Sequence, residues 1–273
     1  MRQLIESAIL GAVQGITEFL PVSSSGHLAI LEHLLQVNYV SLAFIAIVHL
    51  GTLAAILVYF WKDLWEIIKT LNTSQALGWK ILVGTLPAAV AGLVFGSLIE
   101  EAIQGLVFIG GALFFTGIIL IASELGAKTS TKKKYSDSKT TSPSWKTLSY
   151  SDALLIGLAQ VIALIPGISR SGVTMAAGLL RGLPREDAVR FSFLLSTPVV
   201  AGAGLLSVLQ LVQDGTNGIS MGAIAIGFSA SFVFGIGTIH FFLRLIRQHS
   251  FIGYGIYTAI AAIAVIIWGL LAS

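Results

Sequence analysis

The chain alternates between long apolar stretches and short polar connections. Six stretches carry no charge at their centres and approach the roughly 20 residues that a helix needs to cross a bilayer. They lie at 40–60, 81–99, 104–122, 191–212, 219–243 and 251–271. The pattern predicts an all-α polytopic membrane protein with about six transmembrane helices in a single membrane domain, 1–273.

Two further apolar segments, 4–36 and 153–181, are each interrupted by a break rich in Pro, Gly and Ser. The apolar pieces on either side of each break are too short to span a membrane alone. Irregular backbone at membrane depth is tolerated only where protein or a water-filled cavity receives its polar groups. We therefore expect two re-entrant helix-loop-helix segments whose breaks meet inside the protein.

The two interrupted segments also resemble each other. Residues 21–26 (PVSSSG) align with 166–172 (PGISRSG) after one insertion, and Phe-Ile-Gly recurs 143 residues apart, at 108–110 and 251–253. A constant offset indicates an internal repeat. Three spans per half is an odd number, so the second copy should be inverted relative to the first. The predicted units are a first inverted repeat at 1–122, a polar cytoplasmic linker at 123–150 and a second inverted repeat at 151–273.

Charge gives this membrane protein a predicted sidedness. Fourteen of the 16 Lys and Arg residues fall in four connections, which the positive-inside rule places in the cytoplasm. They are Lys62, Lys69 and Lys80; the lysines between 128 and 146; Arg181, Arg185 and Arg190; and Arg244 and Arg247. Basic loops beside anionic lipid account for the net charge of +3, so we expect membrane lipids and no nucleic acid as partners.

Composition limits the chemistry that the protein can perform. The chain is 55% hydrophobic, 11% charged and free of cysteine, so any catalysis must use oxygen or nitrogen groups. Its first 20 residues lack a basic n-region and a cleavage site, so we expect them to stay in the mature protein.

The first break places a carboxylate at membrane depth. Gln14 and Glu18 lie four residues apart on one helical face, before Pro21 discourages further helix. Because an acid at a helix centre in hydrocarbon costs about 2.5–3.5 kcal/mol, Glu18 should have a partner, unless it is protonated and bonded to backbone. The break then supplies Ser23, Ser24, Ser25 and His27. These serines can cap a helix or bind an anion, and the imidazole can act as acid, base or neutral structural group.

The second break contains Arg170, the only Arg or Lys outside the loops apart from Arg2. Since arginine stays ionised, it needs an anion at this depth. Glu18 can be that anion in a structural ion pair, or the guanidinium can grip a phosphate. The neighbouring hydroxyls favour phosphate and belong to Ser169, Ser171 and Thr174. His33 and His49 lack a comparable set of neighbours, and we interpret both as structural.

Three motifs together resemble one known family: QxxxE at 14–18, PVSSSGH at 21–27 and PGISRSGVT at 166–174. They resemble the undecaprenyl pyrophosphate phosphatases, also called the bacitracin-resistance family, over essentially the whole chain. The resemblance implies a membrane hydrolase that acts on a phosphoric anhydride. Its substrate would be a polyprenyl diphosphate lipid, undecaprenyl pyrophosphate, and its product the monophosphate carrier lipid for cell-wall synthesis.

The resemblance also implies roles for individual residues. The catalytic residues would be Glu18, Ser24, His27 and Arg170. The substrate-binding residues would be Gln14, Ser23, Ser25, Ser169, Arg170, Ser171 and Thr174. Gln14 stands where family members have Glu or Gln, so this chain departs from a two-carboxylate metal site. The attacking group, Ser24 or a water, stays open.

Further expectations concern the cofactor, the location and the assembly. The resemblance implies a divalent cation, Mg²⁺ or Ca²⁺, with Glu18 as the candidate ligand. It also implies a multi-pass protein of the bacterial inner membrane whose active site faces outward. Small residues such as Gly110 and Gly111 can pack within one chain or across two, which leaves a homodimer open. The alternative function is a polyprenyl-phosphate transporter or flippase, because inverted repeats with broken helices are a transporter design.

Overall fold

A computed structural model describes residues 1–37, 42–73, 76–102, 105–134, 144–214 and 218–272. All secondary structure within these ranges is helical. The helices are α1 (Arg2–Thr17), α2 (Ser24–Leu35), α3 (Leu42–Tyr59), α4 (Trp61–Lys69), α5 (Leu77–Ala102), α6 (Leu106–Lys134), α7 (Tyr150–Ile162), α8 (Arg170–Leu180), α9 (Arg185–Asp214), α10 (Met221–Leu245) and α11 (Ile252–Ala272).

The long helices match the predicted spans. Within the described ranges, α5, α6, α9, α10 and α11 each contain a stretch long and apolar enough to cross a membrane. The sixth predicted span corresponds to α3, which bends by 73° into the short helix α4. Residues 40 and 41, at the start of that predicted span, and residue 104, at the start of another, lie outside the described residues. The prediction of an all-α polytopic membrane protein is confirmed.

The two interrupted segments form pairs of short helices. The helices α1, α2, α7 and α8 contain 16, 12, 13 and 11 residues. At 1.5 Å per residue each reaches about 16–24 Å, short of the roughly 30 Å of a hydrocarbon core. The two helices of each pair also contact each other, as expected for a re-entrant segment.

The two breaks meet and bind each other through serine hydroxyls. The Ser171 hydroxyl donates to the Leu20 carbonyl at 3.0 Å, and the Gly167 N–H donates to the Ser25 hydroxyl at 3.3 Å. Ser25 and Ser171 occupy equivalent positions in the aligned motifs. Each break thus satisfies backbone groups of the other, as polar backbone within a membrane requires.

The re-entrant helices of each half also pack against the other half. The helix α1 packs along α10 of the second half, and α7 packs along α5 of the first half. Glycines allow both close approaches, because a Cβ at Gly11 would collide with the Gly227 carbonyl and one at Gly157 with the Gly84 carbonyl. Re-entrant helices of each half are therefore held by the other half, which fixes one break relative to the other.

The basic connections gather at one end of the helices, named here the basic face. Ion pairs join connections that are distant in sequence. They are Lys146 with Glu66 at 2.7 Å, Arg190 with Asp63 at 3.5 Å and Arg247 with Glu186 at 2.8 Å. The start of α1 lies at the opposite end, where the Gln3 amide donates to the Gly218 carbonyl at 3.1 Å. The predicted grouping of the basic connections on one side agrees with this arrangement.

The predicted linker, 123–150, differs from the structure at its beginning. The helix α6 continues without interruption to Lys134, and the Glu124 side chain is fully buried. Its carboxylate accepts two hydrogen bonds from Arg185, at 2.7 and 2.6 Å, and one from the Phe251 N–H at 2.8 Å. The polar composition concealed this packing, because the partners of Glu124 come from the second half of the chain.

The end of the predicted linker also joins the protein interior. Trp145 and Leu148 are buried in the main hydrophobic cluster, and the Trp145 N–H donates to Asp187 at 3.1 Å. These residues of the predicted polar linker therefore belong to the packed core. Positions 135–143 of the predicted linker lie outside the described residues.

Candidate active site

Each break ends in a serine that caps the following helix. The Ser23 hydroxyl accepts from the Gly26 N–H at 3.2 Å, and the Ser169 hydroxyl accepts from the Gly172 N–H at 3.0 Å. Ser23 has a φ of 70°, which is rare for a residue other than glycine and strains the backbone at this point. The first residues of α2 and α8 consequently lie side by side, with their N-terminal dipoles at one place.

A cavity of about 190 Å³ lies between these two helix starts. Seven of the predicted site residues line it: Glu18, Ser23, Ser24, Ser25, Ser169, Arg170 and Ser171. The remaining lining residues are His49, Ala163, Ile168 and Val200. Hydroxyls, one carboxylate and one guanidinium thus converge from both halves, and helix N-termini with hydroxyl donors form an anion-binding environment.

Glu18 connects the two halves. Its Oε1 accepts from Arg170 Nη2, and its Oε2 accepts from the Ser24 hydroxyl at 2.6 Å and the Gln14 amide at 3.0 Å. The partner that its burial requires is therefore Arg170, supported by two neutral donors. Ser24 and Arg170 occupy equivalent positions in the aligned motifs, so the carboxylate binds the same position of both breaks.

Thr174 lies one turn behind the cavity. Its hydroxyl donates to the Arg170 carbonyl at 2.8 Å and contacts the Ser192 hydroxyl at 2.6 Å. Thr174 is buried and is absent from the residues that line the cavity. The structure therefore does not bring its hydroxyl to the predicted substrate-binding position, and it supports the α8 backbone instead.

His27 also lies outside the cavity lining. Its Nδ1 is 2.8 Å from the Ser23 carbonyl, and its Nε2 is 2.8 Å from the Tyr257 hydroxyl. A carbonyl only accepts, so Nδ1 carries a proton and both ring nitrogens are engaged. In this geometry His27 holds the strained carbonyl of Ser23. The acid or base role predicted for it remains a prediction.

His49 lines the cavity, although the sequence interpretation made it structural. Its Nε2 is 3.7 Å from Glu18 Oε2. No spacing rule links a histidine within a span to a break 31 positions earlier. The only available signal was a polar side chain in the middle of an apolar span. His33, interpreted in the same way, packs its ring against Trp268 with centroids 4.9 Å apart.

The donor atoms around Glu18 suit a hard divalent cation. The buried Oε1 of Gln14 has no hydrogen-bond partner within the described ranges, and it belongs to the amide whose nitrogen binds Glu18. Oxygen donors of this kind are the ligands that Mg²⁺ and Ca²⁺ prefer. The described residues contain no group of three His, Cys, Asp or Glu that could hold a metal alone. Glu18 therefore fits a cation whose remaining ligands are phosphate oxygens and water, whereas Gln14 is fully buried and does not line the cavity.

Fold and cavity together define a class: a polytopic membrane protein whose two halves enclose a polar cavity that suits an anion. Comparison with known proteins narrows this class. The family described as bacitracin resistance protein BacA matches residues 7–264. The chain belongs to this family.

Curated relatives match over nearly the full length of the chain. The undecaprenyl-diphosphatase of Chlorobaculum tepidum is 41% identical, with 96% of this chain and 97% of the relative covered. Undecaprenyl-diphosphatase 2 of Stutzerimonas stutzeri is also 41% identical, with 94% and 95% covered. The undecaprenyl-diphosphatase of Methanosphaera stadtmanae is 37% identical, with 98% of both chains covered.

Proposed function

We propose that the protein is an undecaprenyl-diphosphate phosphatase, which hydrolyses the lipid diphosphate to the lipid monophosphate and phosphate. One observation carries the proposal most directly. A carboxylate, a guanidinium, several hydroxyls and two helix N-termini converge on one cavity between the breaks. The naming of relatives at 37–41% identity over nearly the whole chain supports the same substrate. Removing this phosphate recycles the carrier lipid for cell-wall synthesis and would confer bacitracin resistance.

The protein binds the terminal phosphate through both breaks. Arg170 uses one N–H for Glu18, and an arginine has five, so the guanidinium retains donors for phosphate oxygens. The hydroxyls and the free N–H groups at the starts of α2 and α8 supply further donors. These groups are fixed before the substrate arrives, so they stabilise developing charge without reorganising.

Glu18 prepares the attacking group. The Ser24 hydroxyl donates to Glu18 Oε2 at 2.6 Å, which orients its oxygen and gives its proton an acceptor. Attack by Ser24 would form a phosphoserine that a water then hydrolyses. Attack by a water in the same position would release phosphate directly. In both routes the lipid monophosphate leaves, and Glu18 accepts the proton of the attacking group.

A divalent cation, Mg²⁺ or Ca²⁺, belongs to the proposal. The Glu18 carboxylate would hold it, and it would supply neutralisation of the diphosphate charge. The chain's own hydrogen-bond donors bind and orient the phosphate. Arg170 in particular stays in place beside Glu18 through its direct ion pair.

The protein's surroundings form the last part of the proposal. We place the chain in a bacterial inner membrane, with the basic face in the cytoplasm and the cavity facing outward. The start of α1 at the end opposite the basic face supports this orientation. A homodimer is proposed with it: Gly110 packs within the chain against Ile266, whereas nothing lies within 4 Å of a Cβ built at Gly111. Light scattering of the purified protein measures the assembly.

Phosphate release from purified protein tests the function. The substrate is a polyprenyl diphosphate in detergent micelles, with Mg²⁺ in one sample and a chelator in the other. We expect cation-dependent phosphate release and accumulation of the polyprenyl monophosphate. A folded protein that releases no phosphate, yet moves polyprenyl phosphate across liposomes, would refute the phosphatase and establish the transporter instead.

A further inference from the structure

His49 points a free ring nitrogen into the cavity. On α3, its Nδ1 lies 2.7 Å from the Ile45 carbonyl. Because a carbonyl only accepts, Nδ1 must carry a proton, and Nε2 of the neutral ring is then an acceptor. His49 lines the cavity with Glu18, Ser24 and Arg170. The neighbouring helix thus supplies one acceptor to a site that consists mainly of donors.

No hydrogen bond within the described part of the chain reaches Nε2, although it lies within ion-pair distance of the Glu18 carboxylate. The separation of 3.7 Å from Nε2 to Glu18 Oε2 is too long for a hydrogen bond. Oε2 already accepts from Gln14 and Ser24, so Glu18 has no need of the imidazole. The space beside Nε2 instead suits a small molecule that donates to this nitrogen, and water is such a molecule.

His27, the other histidine beside the breaks, has no such freedom. Its two ring nitrogens are held by the Ser23 carbonyl and the Tyr257 hydroxyl, both at 2.8 Å, and it does not line the cavity. Of these two imidazoles, His49 is therefore the one placed to meet a reacting group.

We infer that His49 Nε2 accepts a hydrogen bond from the attacking water and orients that water toward phosphorus. The inference rests on the proposed phosphatase function, and it holds for both routes because each consumes one water. The water oxygen forms a bond to phosphorus while its proton passes to the Glu18 carboxylate. In the direct route the anhydride P–O bond breaks and the lipid monophosphate leaves. In the phosphoserine route Glu18 first passes the Ser24 proton to the departing lipid monophosphate, then accepts the water proton and returns it to the Ser24 oxygen as the bond between phosphorus and Ser24 breaks.

Three variants of the full-length protein test this role: His49→Leu, His49→Gln and, as a matched control, His33→Leu. Leucine removes the acceptor at similar size, whereas the glutamine carbonyl can still accept. We measure kcat and KM for phosphate release from a polyprenyl diphosphate with Mg²⁺. Misorientation of a reacting group costs on the order of 100-fold in rate, so we expect His49→Leu to lower kcat by about that factor with KM unchanged. His49→Gln should recover most of the loss, and His33→Leu should match wild type.

Competition with methanol provides a readout that a structural role would not change. Methanol attacks in place of water and yields methyl phosphate, so the product ratio reports how strongly the site selects water. We expect His49→Leu to raise the share of methyl phosphate and His49→Gln to restore the wild-type ratio. An active wild type with His49→Leu within twofold in kcat and unchanged in product ratio would overturn the inference alone. A wild type that releases no phosphate would overturn the phosphatase function and the inference with it.

Discussion

The first and second breaks share the same serine hydrogen bonds but supply opposite charges. Ser23 and Ser169 cap α2 and α8 in the same way, and Ser25 and Ser171 each bind the opposite break. Only the first break is preceded by a carboxylate, Glu18. The repeated serine motif therefore supplies one helix N-terminus to the cavity from each half, while the charged chemistry depends on what differs between the halves.

The largest effect should come from the charge that the second half contributes. Arg170→Ala removes the ion-pair partner of Glu18 and the guanidinium offered to phosphate. We expect phosphate release, as kcat/KM, to fall by about 10³-fold, the upper range for loss of one fixed donor to developing charge. Arg170→Lys should recover only part of this loss, because an ammonium cannot reproduce the fork geometry. The control is Arg247→Ala on the basic face, and equal activity of the two alanine variants would contradict the prediction.

The second-largest effect should come from the charge that the first half contributes. Glu18→Gln keeps the size of the side chain but removes the charge that faces Arg170 and the acceptor for the Ser24 proton. Loss of a general base typically costs about 10²–10⁴-fold, and we expect kcat to fall by about 10²-fold. The exposed pair of Glu66 and Lys146 provides the control, Glu66→Gln, which should leave the rate unchanged. Wild-type kcat in Glu18→Gln would remove Glu18 from the mechanism.

Each break is preceded by a glutamine, Gln14 or Gln160, and the two glutamines differ in what they contact. Gln14 donates to Glu18, whereas neither polar atom of the buried Gln160 finds a partner within the described ranges. The residue four positions after Gln160 is Leu164, where the first half has Glu18. An unpaired buried polar group costs about 1–3 kcal/mol, so Gln160→Leu should stabilise the protein by about 1 kcal/mol with full activity.

Gln14→Leu, by contrast, should lower activity about tenfold, because it removes one hydrogen bond to the Glu18 carboxylate, worth about 1.5 kcal/mol. Thermal unfolding and phosphate release, measured on both leucine variants, check the pair. If Gln160→Leu lost as much activity as Gln14→Leu, the two halves would contribute alike and the contrast between them would fail.

The smallest effect concerns how the re-entrant helices are anchored. No side chain caps α1, whereas Ser149 and Asp152 form a capping box on α7, and Arg181 binds Asp152 at 2.6 Å. Burial alone would raise the pKa of Asp152, but hydrogen bonds from Ser149 and Arg181 hold that pKa below its ordinary value. The stabilisation is then present above the unfolded pKa of about 3.9 and is lost as pH falls through the lower folded pKa.

Asp152→Asn should therefore cost less than about 1 kcal/mol near neutral pH, as for a partly exposed pair. The difference from wild type should shrink as the pH falls below about 4. Thermal unfolding of both proteins across pH 3–7 measures it, and a difference that grew on acidification would contradict the assignment.

The sequence predicted those features that depend on local pattern. The lengths of the apolar stretches predicted the spans, and the Pro/Gly/Ser motifs predicted both breaks, because bilayer thickness and backbone satisfaction constrain these features directly. Glu18 and Arg170 were expected at the site because charges at membrane depth need partners. The sequence left two roles open for Arg170, an ion pair with Glu18 and the binding of a phosphate. The two roles are compatible, because Arg170 keeps donors for phosphate while it binds Glu18.

The missed features depend on contacts between residues distant in sequence. His49 reaches the cavity only because α3 packs beside both α1 and α9. Glu124 appeared to begin a solvated linker, yet its partner Arg185 lies 61 residues away. No local pattern distinguishes such a buried pair from a surface charge. His27 is adjacent to the serine motif, yet its ring contacts Tyr257 of the second half, and no local pattern indicates this contact either.

The most direct test is a structure of the protein with a polyprenyl methylenediphosphonate, a substrate analogue whose bridge cannot be hydrolysed. We predict that its terminal phosphonate lies between the starts of α2 and α8, within hydrogen-bond distance of Arg170 and Ser24. An analogue bound elsewhere, with the cavity between the breaks left free, would contradict the assignment of this cavity as the active site.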